Sequence, residues 1–342
     1  MKANRFHEYG GPEVMRYEDA PDPVPAAGEV VIRVRACALN HLDLDLRDGT
    51  SRIPLQLPFI SGLEIAGEVV ELGSGVTDYR VGERVMPTFY YACGECDYCR
   101  RKRENLCPQR SMFGVFRPGG YAELVTAPAR TLMRIPDNVS FDDAAATQLA
   151  FGTAFHMLHT RAQVRQGESI LIQAAGSGIG SAAIQIAARS GLKIIATAGS
   201  DDKLRKAEAL GAQYTINYKR EKMLDAVMDY TDGKGVDVVF EHVGGEVFTD
   251  SIHALAMWGR LVTCGAHAGE GPKIDVIELF RKEASVIGSY TCSLFELAQV
   301  LALVELGKLK PVIHQTLPLA EAGQAQQIIA KREQFGKVVL NP

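Results

Sequence analysis

The stretch "LIQAAGSGIGSAAIQIA", Leu171 to Ala187, passes from a continuous apolar run to helical periodicity across a glycine-rich turn. "ESILIQA" from Glu168 reads as a buried strand, and "GIGSAAIQIAARSG" reads as a helix ending at Gly191. Gly176, Gly178 and Gly180 lie between and at the start of these elements. Glycines in such a turn let a backbone approach a pyrophosphate closely, and the free N–H groups of the helix terminus point at it. A glycine triplet alone would serve equally as a tight turn. Here a strand precedes, a helix follows, and a second strand ends about 20 residues further on, as the dinucleotide fingerprint requires. The expected cofactor-binding residues are therefore Gly176, Ser177, Gly178, Ile179 and Gly180.

Reading outward, "KIIATA" is a strand and "DDKLRKAEALG" a helix closed by Gly211. "YTIN", "VDVVFE", "RLVTCG" and "SVIG" follow as strands, with helices at "MLDAVMDY", "EVFTDSIHALAMW" and "VIELFRK". Six short apolar strands alternating with helices predict a doubly wound parallel sheet. After Tyr290 come a helix, "SLFELAQVLALVELG", and a β-like tail. The first ~150 residues are mostly β, with "EVVIRVRACAL", "EIAGEVVELG" and "YAELVTAP" punctuated by glycine and proline. From Phe141, "FDDAAATQLAFGTAFHMLHT" turns helical. A chain of 342 residues exceeds the usual size of one core, so two domains are expected.

The end of the second strand bears on which dinucleotide is bound. NAD would be met there by a carboxylate on its adenosine ribose. This chain has "ATAGSDDK", with Ala198 at that place, then Ser200 and Lys203. A small residue, a hydroxyl and an ammonium suit a 2′-phosphate, so NADPH is expected. Asp201 and Asp202 argue the other way unless they serve as the start of the next helix, which its macrodipole favours.

Composition is that of an ordinary globular protein, 46% hydrophobic and 23% charged. A formal charge of −4 gives no footprint for nucleic acid or an anionic membrane. The one basic run, Arg100 to Arg103, reads as a solvated loop. "MKANRFHEYGG" has no apolar stretch after its charges, and no segment reaches the ~18 apolar residues of a membrane span. A cytoplasmic location is expected, where clustered cysteines bind metal more often than they form disulfides.

The motifs "GEVVIRVRACALNHLDL", "GLEIAGEVVELG", "VGERV", "CGECDYCRRKRENLC", "GGYAEL", "LAFGTAF", "AAGSGIGSAAIQIA" and "FGKVVL" occur in that order. Together they resemble the medium-chain dehydrogenase/reductase superfamily over nearly the whole chain. The resemblance implies an α/β protein with a β-rich, GroES-like catalytic domain at 1–150 and 290–342. A doubly wound Rossmann domain binding NADP is implied at 151–289. The spacing C-x2-C-x2-C-x7-C over Cys93, Cys96, Cys99 and Cys107 matches the family's structural zinc lobe, here 91–109. Four thiolates close a tetrahedral zinc, so this metal holds a loop and does no chemistry.

The catalytic zinc of the family's alcohol dehydrogenases needs three other ligands. At those places the chain carries Asn40, Leu63 and Leu149, an amide and two leucines. "ALNHLD" instead resembles the quinone oxidoreductase branch. The resemblance implies Asn40 as donor to the substrate oxygen or nicotinamide ribose, Asp43 as its orienting neighbour, and Thr153 beside the nicotinamide. It also implies Phe89 and Tyr90 as pocket wall, Tyr218 near the adenine, and Gly265 and Ala266 beside the nicotinamide ribose. The expectation is an NADPH-dependent reductase of quinones, enones or other conjugated carbonyls, with one structural zinc and a homodimeric or homotetrameric state. The rivals are a zinc-dependent alcohol dehydrogenase and an NADPH-binding structural or RNA-binding protein.

Overall fold

Ile170 to Ile172, Ile194 to Ala196 and Val238 to Phe240 are all closed off from solvent. Strands covered on both faces need no polar alternation, which is why these runs are apolar throughout. The computed structural model describes all 342 residues and divides into two units, Ala150–Cys292 and Met1–Leu149 with Ser293–Pro342.

In Ala150–Cys292 the strands are β1 (Ser169–Ile172), β2 (Lys193–Ala198), β3 (Tyr214–Asn217), β4 (Val236–Glu241), β5 (Leu255–Thr263) and β6 (Ser285–Gly288). The helices between them are α1 (Gly178–Arg189), α2 (Asp201–Ala209), α3 (Met223–Tyr230), α4 (Gly245–His253) and α5 (Val276–Arg281). All six strands are parallel, in the order β3-β2-β1-β4-β5-β6. The order reverses between β1 and β4, and ligands of open parallel sheets bind outside the carboxyl ends of the strands at such a reversal.

One boundary departs from the sequence reading. The helix expected through Trp258 ends at His253, and β5 begins at Leu255. Leu255 pairs with Val236, and the ladder resumes only at Arg260 opposite Val238. The extra residues bulge outward, leaving Met257 and Trp258 68% and 79% exposed, with Trp258 in the left-handed region at φ 65°. Parallel pairing has overridden a helical pattern that continued without a stop signal.

In the other unit, Glu29–Ala38 is the hub of a seven-stranded sheet. It pairs antiparallel with Glu64–Leu72, with Leu124–Pro128 and with the C-terminal strand Lys337–Asn341. The tail is not wholly β: a helix, Ala322–Ala330, stands between Ile313–Pro318 and Lys337–Asn341. Its Ala322, Ala325, Ile328 and Ile329 pack into one core with Ile32, Val34, Val338 and Leu340. No helix of the chain is long and apolar enough to cross a membrane.

Candidate functional site

The glycine turn sits at the carboxyl end of β1. The hydroxyl of Ser177 caps α1 by accepting the Gly180 N–H at 2.9 Å. A Cβ at Gly180 would lie 2.4 Å from the Ala174 carbonyl oxygen, so only glycine lets the helix start this close to the strand. The N–H groups of Gly178 and Ile179 belong to the first turn, which has no intrahelical acceptors. A cradle of this kind fits a pyrophosphate, and Gly176 lies within it.

At the end of β2, Ala198 is buried and Ser200 caps α2 by accepting the Lys203 N–H at 3.4 Å. The two aspartates that follow are tied up. Asp201 accepts the Asn217 amide at 2.8 Å and pairs with Arg220 at 2.7 Å, and these hold its carboxyl below the usual range. Asp202 pairs with Lys206 at 2.7 Å and lies 3.5 Å from Arg205. Tyr218 is half exposed, with its hydroxyl over Gly199, where an added Cβ would lie 2.6 Å from it. Gly265 and Ala266 follow β5, and a Cβ at Gly265 would lie 2.8 Å from the His242 carbonyl oxygen. Thr153, on the helix Phe141–Phe155, is buried with its hydroxyl unpaired.

The residues at the end of β4 and just after it were not singled out by the sequence reading. Glu241, fully buried, accepts N–H groups of Val243 at 2.6 Å and Gly244 at 2.7 Å and the Thr263 hydroxyl at 2.9 Å. It ties the turn after β4 to β5, and burial pushes its carboxyl up. His242 lies with Nε2 2.9 Å from the Ser177 hydroxyl. The available signal was "FEHVGG", two polar side chains ending an otherwise apolar strand.

Asn40 lies in the other unit, as the residue that opens the helix His41–Asp48. Its amide donates to Glu64 at 2.8 Å, and its carbonyl oxygen accepts from the Lys337 ammonium at 2.7 Å. Lys337 also donates to the Leu39 carbonyl at 2.6 Å and forms an ion pair with Glu64. The second Glu64 oxygen accepts the Leu149 N–H. Glu64 and Lys337 are both buried. Asp43, with no exposure, accepts the Asn40 N–H at 2.8 Å and the Gly62 N–H at 3.1 Å. Burial nevertheless pushes its carboxyl up to about 7. Lys337 was missed at the sequence level, although a lysine inside "GKVVL" is conspicuous once that strand proves buried. Phe89 and Tyr90 are buried, packed edge to face at 5.1 Å between ring centroids.

The four cysteines converge. All four Sγ atoms lie within 4.8 Å of one another, with Cys93–Cys99 at 3.8 Å, Cys96–Cys99 at 3.5 Å and Cys93–Cys107 at 3.6 Å. A tetrahedron with zinc–sulfur arms of ~2.3 Å has edges of roughly 3.8 Å, so the donor set fits zinc. N–H groups of Glu95 and Cys96 bring the Cys93 thiol down to about 6.

A glycine cradle at the reversal of a parallel sheet, in one chain with a β-rich unit that holds a four-cysteine lobe, defines a dehydrogenase-type oxidoreductase. Family models agree in both parts. Residues 26–137 match the alcohol dehydrogenase GroES-like domain, and residues 178–305 match the zinc-binding dehydrogenase model. The chain is 34% identical to an NAD-dependent alcohol dehydrogenase of Sulfolobus acidocaldarius, over 99% of each sequence. It is also 34% identical to a quinone oxidoreductase of Pseudomonas aeruginosa, over 100% of this chain and 99% of the relative. A crystal structure described as an NAD-dependent alcohol dehydrogenase matches with a TM-score of 0.95 at 41% identity, covering both chains fully. The chain belongs to the medium-chain dehydrogenase/reductase superfamily.

A catalytic metal of the alcohol dehydrogenase kind does not fit this chain. Where the family resemblance implies its ligands, the chain carries Asn40, Leu63 and Leu149, an amide and two leucines. The amide oxygen and the nearby carboxylate are already shared with an internal ammonium.

Proposed function

We propose that the chain is an NADPH-dependent reductase of quinones, enones or similar conjugated carbonyls, working without a catalytic metal. The Asn40–Glu64–Lys337 network supports this reading, because it ties Asn40, which the family resemblance implies at a metal-ligand position, to a carboxylate and an internal ammonium. The bound cofactor would supply the hydride. A conjugated acceptor spreads the resulting charge onto an oxygen that hydrogen bonds can stabilise, whereas alkoxide formation from a simple alcohol loses several kcal/mol without a Lewis acid.

Asn40 has one N–H committed to Glu64, and its other has only a long 3.4 Å contact to the Ala38 carbonyl. That N–H is the donor for the substrate oxygen, and Lys337 on the amide oxygen strengthens it by polarisation. Asp43 holds the Asn40 backbone in place. Thr153 offers its unpaired hydroxyl to the nicotinamide region, with Gly265 and Ala266 beside the adjoining ribose. Pairing of Asp201 with Arg220 and of Asp202 with Lys206 offsets the carboxylates that would repel a 2′-phosphate, for which Ser200, Lys203 and Tyr218 are the proposed contacts. The four-cysteine lobe binds one zinc, which is structural.

The alternative, an NAD-dependent alcohol dehydrogenase, follows the names of two of the relatives and is separable by one set of assays. Elemental analysis should find one zinc per chain, and NADPH oxidation should proceed with quinones and enones. Two zincs, or ethanol and benzyl alcohol oxidation lost on chelation and restored by zinc, would overturn the reading.

A further inference from the structure

Ser177 follows β1 and His242 follows β4, the two strands between which the sheet order reverses. Their side chains meet there, with Nε2 of His242 2.9 Å from the Ser177 hydroxyl oxygen. The His242 residue is only 7% exposed, and its Nδ1 is buried with no hydrogen-bond partner. Ser177 already accepts the Gly180 N–H, so its own proton is free to be donated to Nε2. With Ser177 as donor to Nε2, the imidazole proton lies on Nδ1 and the unpaired atom is a donor. Burial, with His267 nearby, keeps the ring neutral down to about 3, so at physiological pH one ring nitrogen is a donor and the other an acceptor. A buried donor with nothing to donate to is rare in folded proteins, and a ligand oxygen is one of the few things that explains it. The Glu241 carboxylate is bonded to Val243, Gly244 and Thr263 and makes no hydrogen bond to His242 Nδ1.

We propose that His242 is a cofactor-positioning residue, its Nδ1–H donating to an oxygen of the ribose–pyrophosphate segment of the bound dinucleotide. Its Nε2 meanwhile holds the Ser177 hydroxyl that caps α1, so one ring couples the end of β4 to the phosphate-binding turn. The inference rests on the dinucleotide reading given above but not on the acceptor substrate.

The two ring nitrogens can be tested separately, because an asparagine amide falls near the place of Nδ1 and a glutamine amide near that of Nε2. Isothermal titration of the full chain with NADPH, NADH and adenosine 2′,5′-bisphosphate is the measurement, on His242→Asn, His242→Gln and the unmodified protein. His242→Gln should lose about tenfold in dinucleotide affinity, the size of one hydrogen bond, while His242→Asn stays within roughly threefold. The bisphosphate, which lacks the pyrophosphate and the second ribose, should bind all three proteins alike. In ¹⁵N spectra the Nδ1 resonance of the unmodified protein should move on saturation with dinucleotide, a change that a purely structural histidine would not show. Unchanged affinity in His242→Gln, or an equal loss for the bisphosphate, overturns the inference. An unmodified protein that binds neither dinucleotide would instead remove the cofactor reading beneath it.

Discussion

Around Lys337, the ammonium, the Glu64 carboxylate and the Asn40 amide bond one another inside a single unit, with Leu39 and Leu149 joining the set and one Asn40 N–H held only by a 3.4 Å contact. At the end of β4 the opposite holds: His242 Nδ1 is buried unpaired, and so is the Thr153 hydroxyl elsewhere in the same unit. A closed network fixes geometry before any ligand arrives. Unpaired buried donors gain by meeting a ligand, since an unmade hydrogen bond costs a buried group ~1–3 kcal/mol. The first centre therefore behaves as a scaffold that holds Asn40, and the second as a receiving surface.

The largest effect should come from opening the closed centre. Lys337→Met leaves Glu64 charged and buried without its partner, and stability should fall by about 3–5 kcal/mol. Adding Glu64→Gln should recover much of that loss, because a neutral pair needs no counter-charge. Urea unfolding of the single and double variants measures both. A Lys337→Met protein as stable as the unmodified one would show the network to be incidental.

Filling the receiving centre should act on binding more than on folding. Gly180→Ala places a Cβ 2.4 Å from the Ala174 carbonyl oxygen, forcing α1 away from β1. Overpacking of this kind costs ~1–3 kcal/mol of stability, and dinucleotide affinity should drop more steeply than the midpoint of unfolding. Equal affinity by calorimetry would mean that the close approach is not needed for the cofactor.

The pH dependence is spread over several pH units, at most ~1.4 kcal/mol per unit for one group, and in it the two centres should pull in opposite directions. Asp43, raised by burial from 3.8 to about 7, keeps a proton in the fold that the unfolded chain has released. Its contribution is present below pH ~4 and is lost as pH rises towards 7. His242, lowered by burial from 6.5 to about 3, refuses a proton that the unfolded chain takes up. Its contribution is present above pH ~6.5 and is lost as pH falls towards 3. Asp43→Asn should therefore leave a stability curve that rises with pH between about 4 and 6.5, and His242→Gln one that falls. Unfolding midpoints at constant ionic strength across that window test both signs, and an unchanged curve in either variant contradicts its assignment.

Much of this was legible residue by residue. Six apolar strands separated by helices announce a parallel sheet, since burial on both faces leaves runs such as "SILI" and "VDVVF" without alternation. Ser177 and Ser200, read in the sequence as cofactor contacts, also cap α1 and α2, whereas the sequence reading assigns the start of α2 to Asp201 and Asp202. Where the reading failed, a distant partner had intervened. Trp258 lies outside a helix because Leu255 is claimed by Val236. Ala322–Ala330 escaped notice because alanine and glutamine give a weak hydrophobic pattern until the core around Ile32 and Leu340 supplies the other half.

The sequence by itself determined the order of strands and helices, the glycine turn and the cysteine spacing, all of which depend on neighbours within a few turns of chain. It also placed Asn40, Leu63 and Leu149, an amide and two leucines, where the family resemblance implies metal ligands. Only the tertiary structure decided that Lys337 would meet Glu64, 273 residues away, and Asn40, 297 away, and that His242 would face Ser177 across 65 residues. Such pairings follow from strand register: the alignment of Lys337–Asn341 against Glu29–Ala38, and of β4 against β1. Register is set by the fit of whole faces in the core, and no local stretch of sequence encodes it.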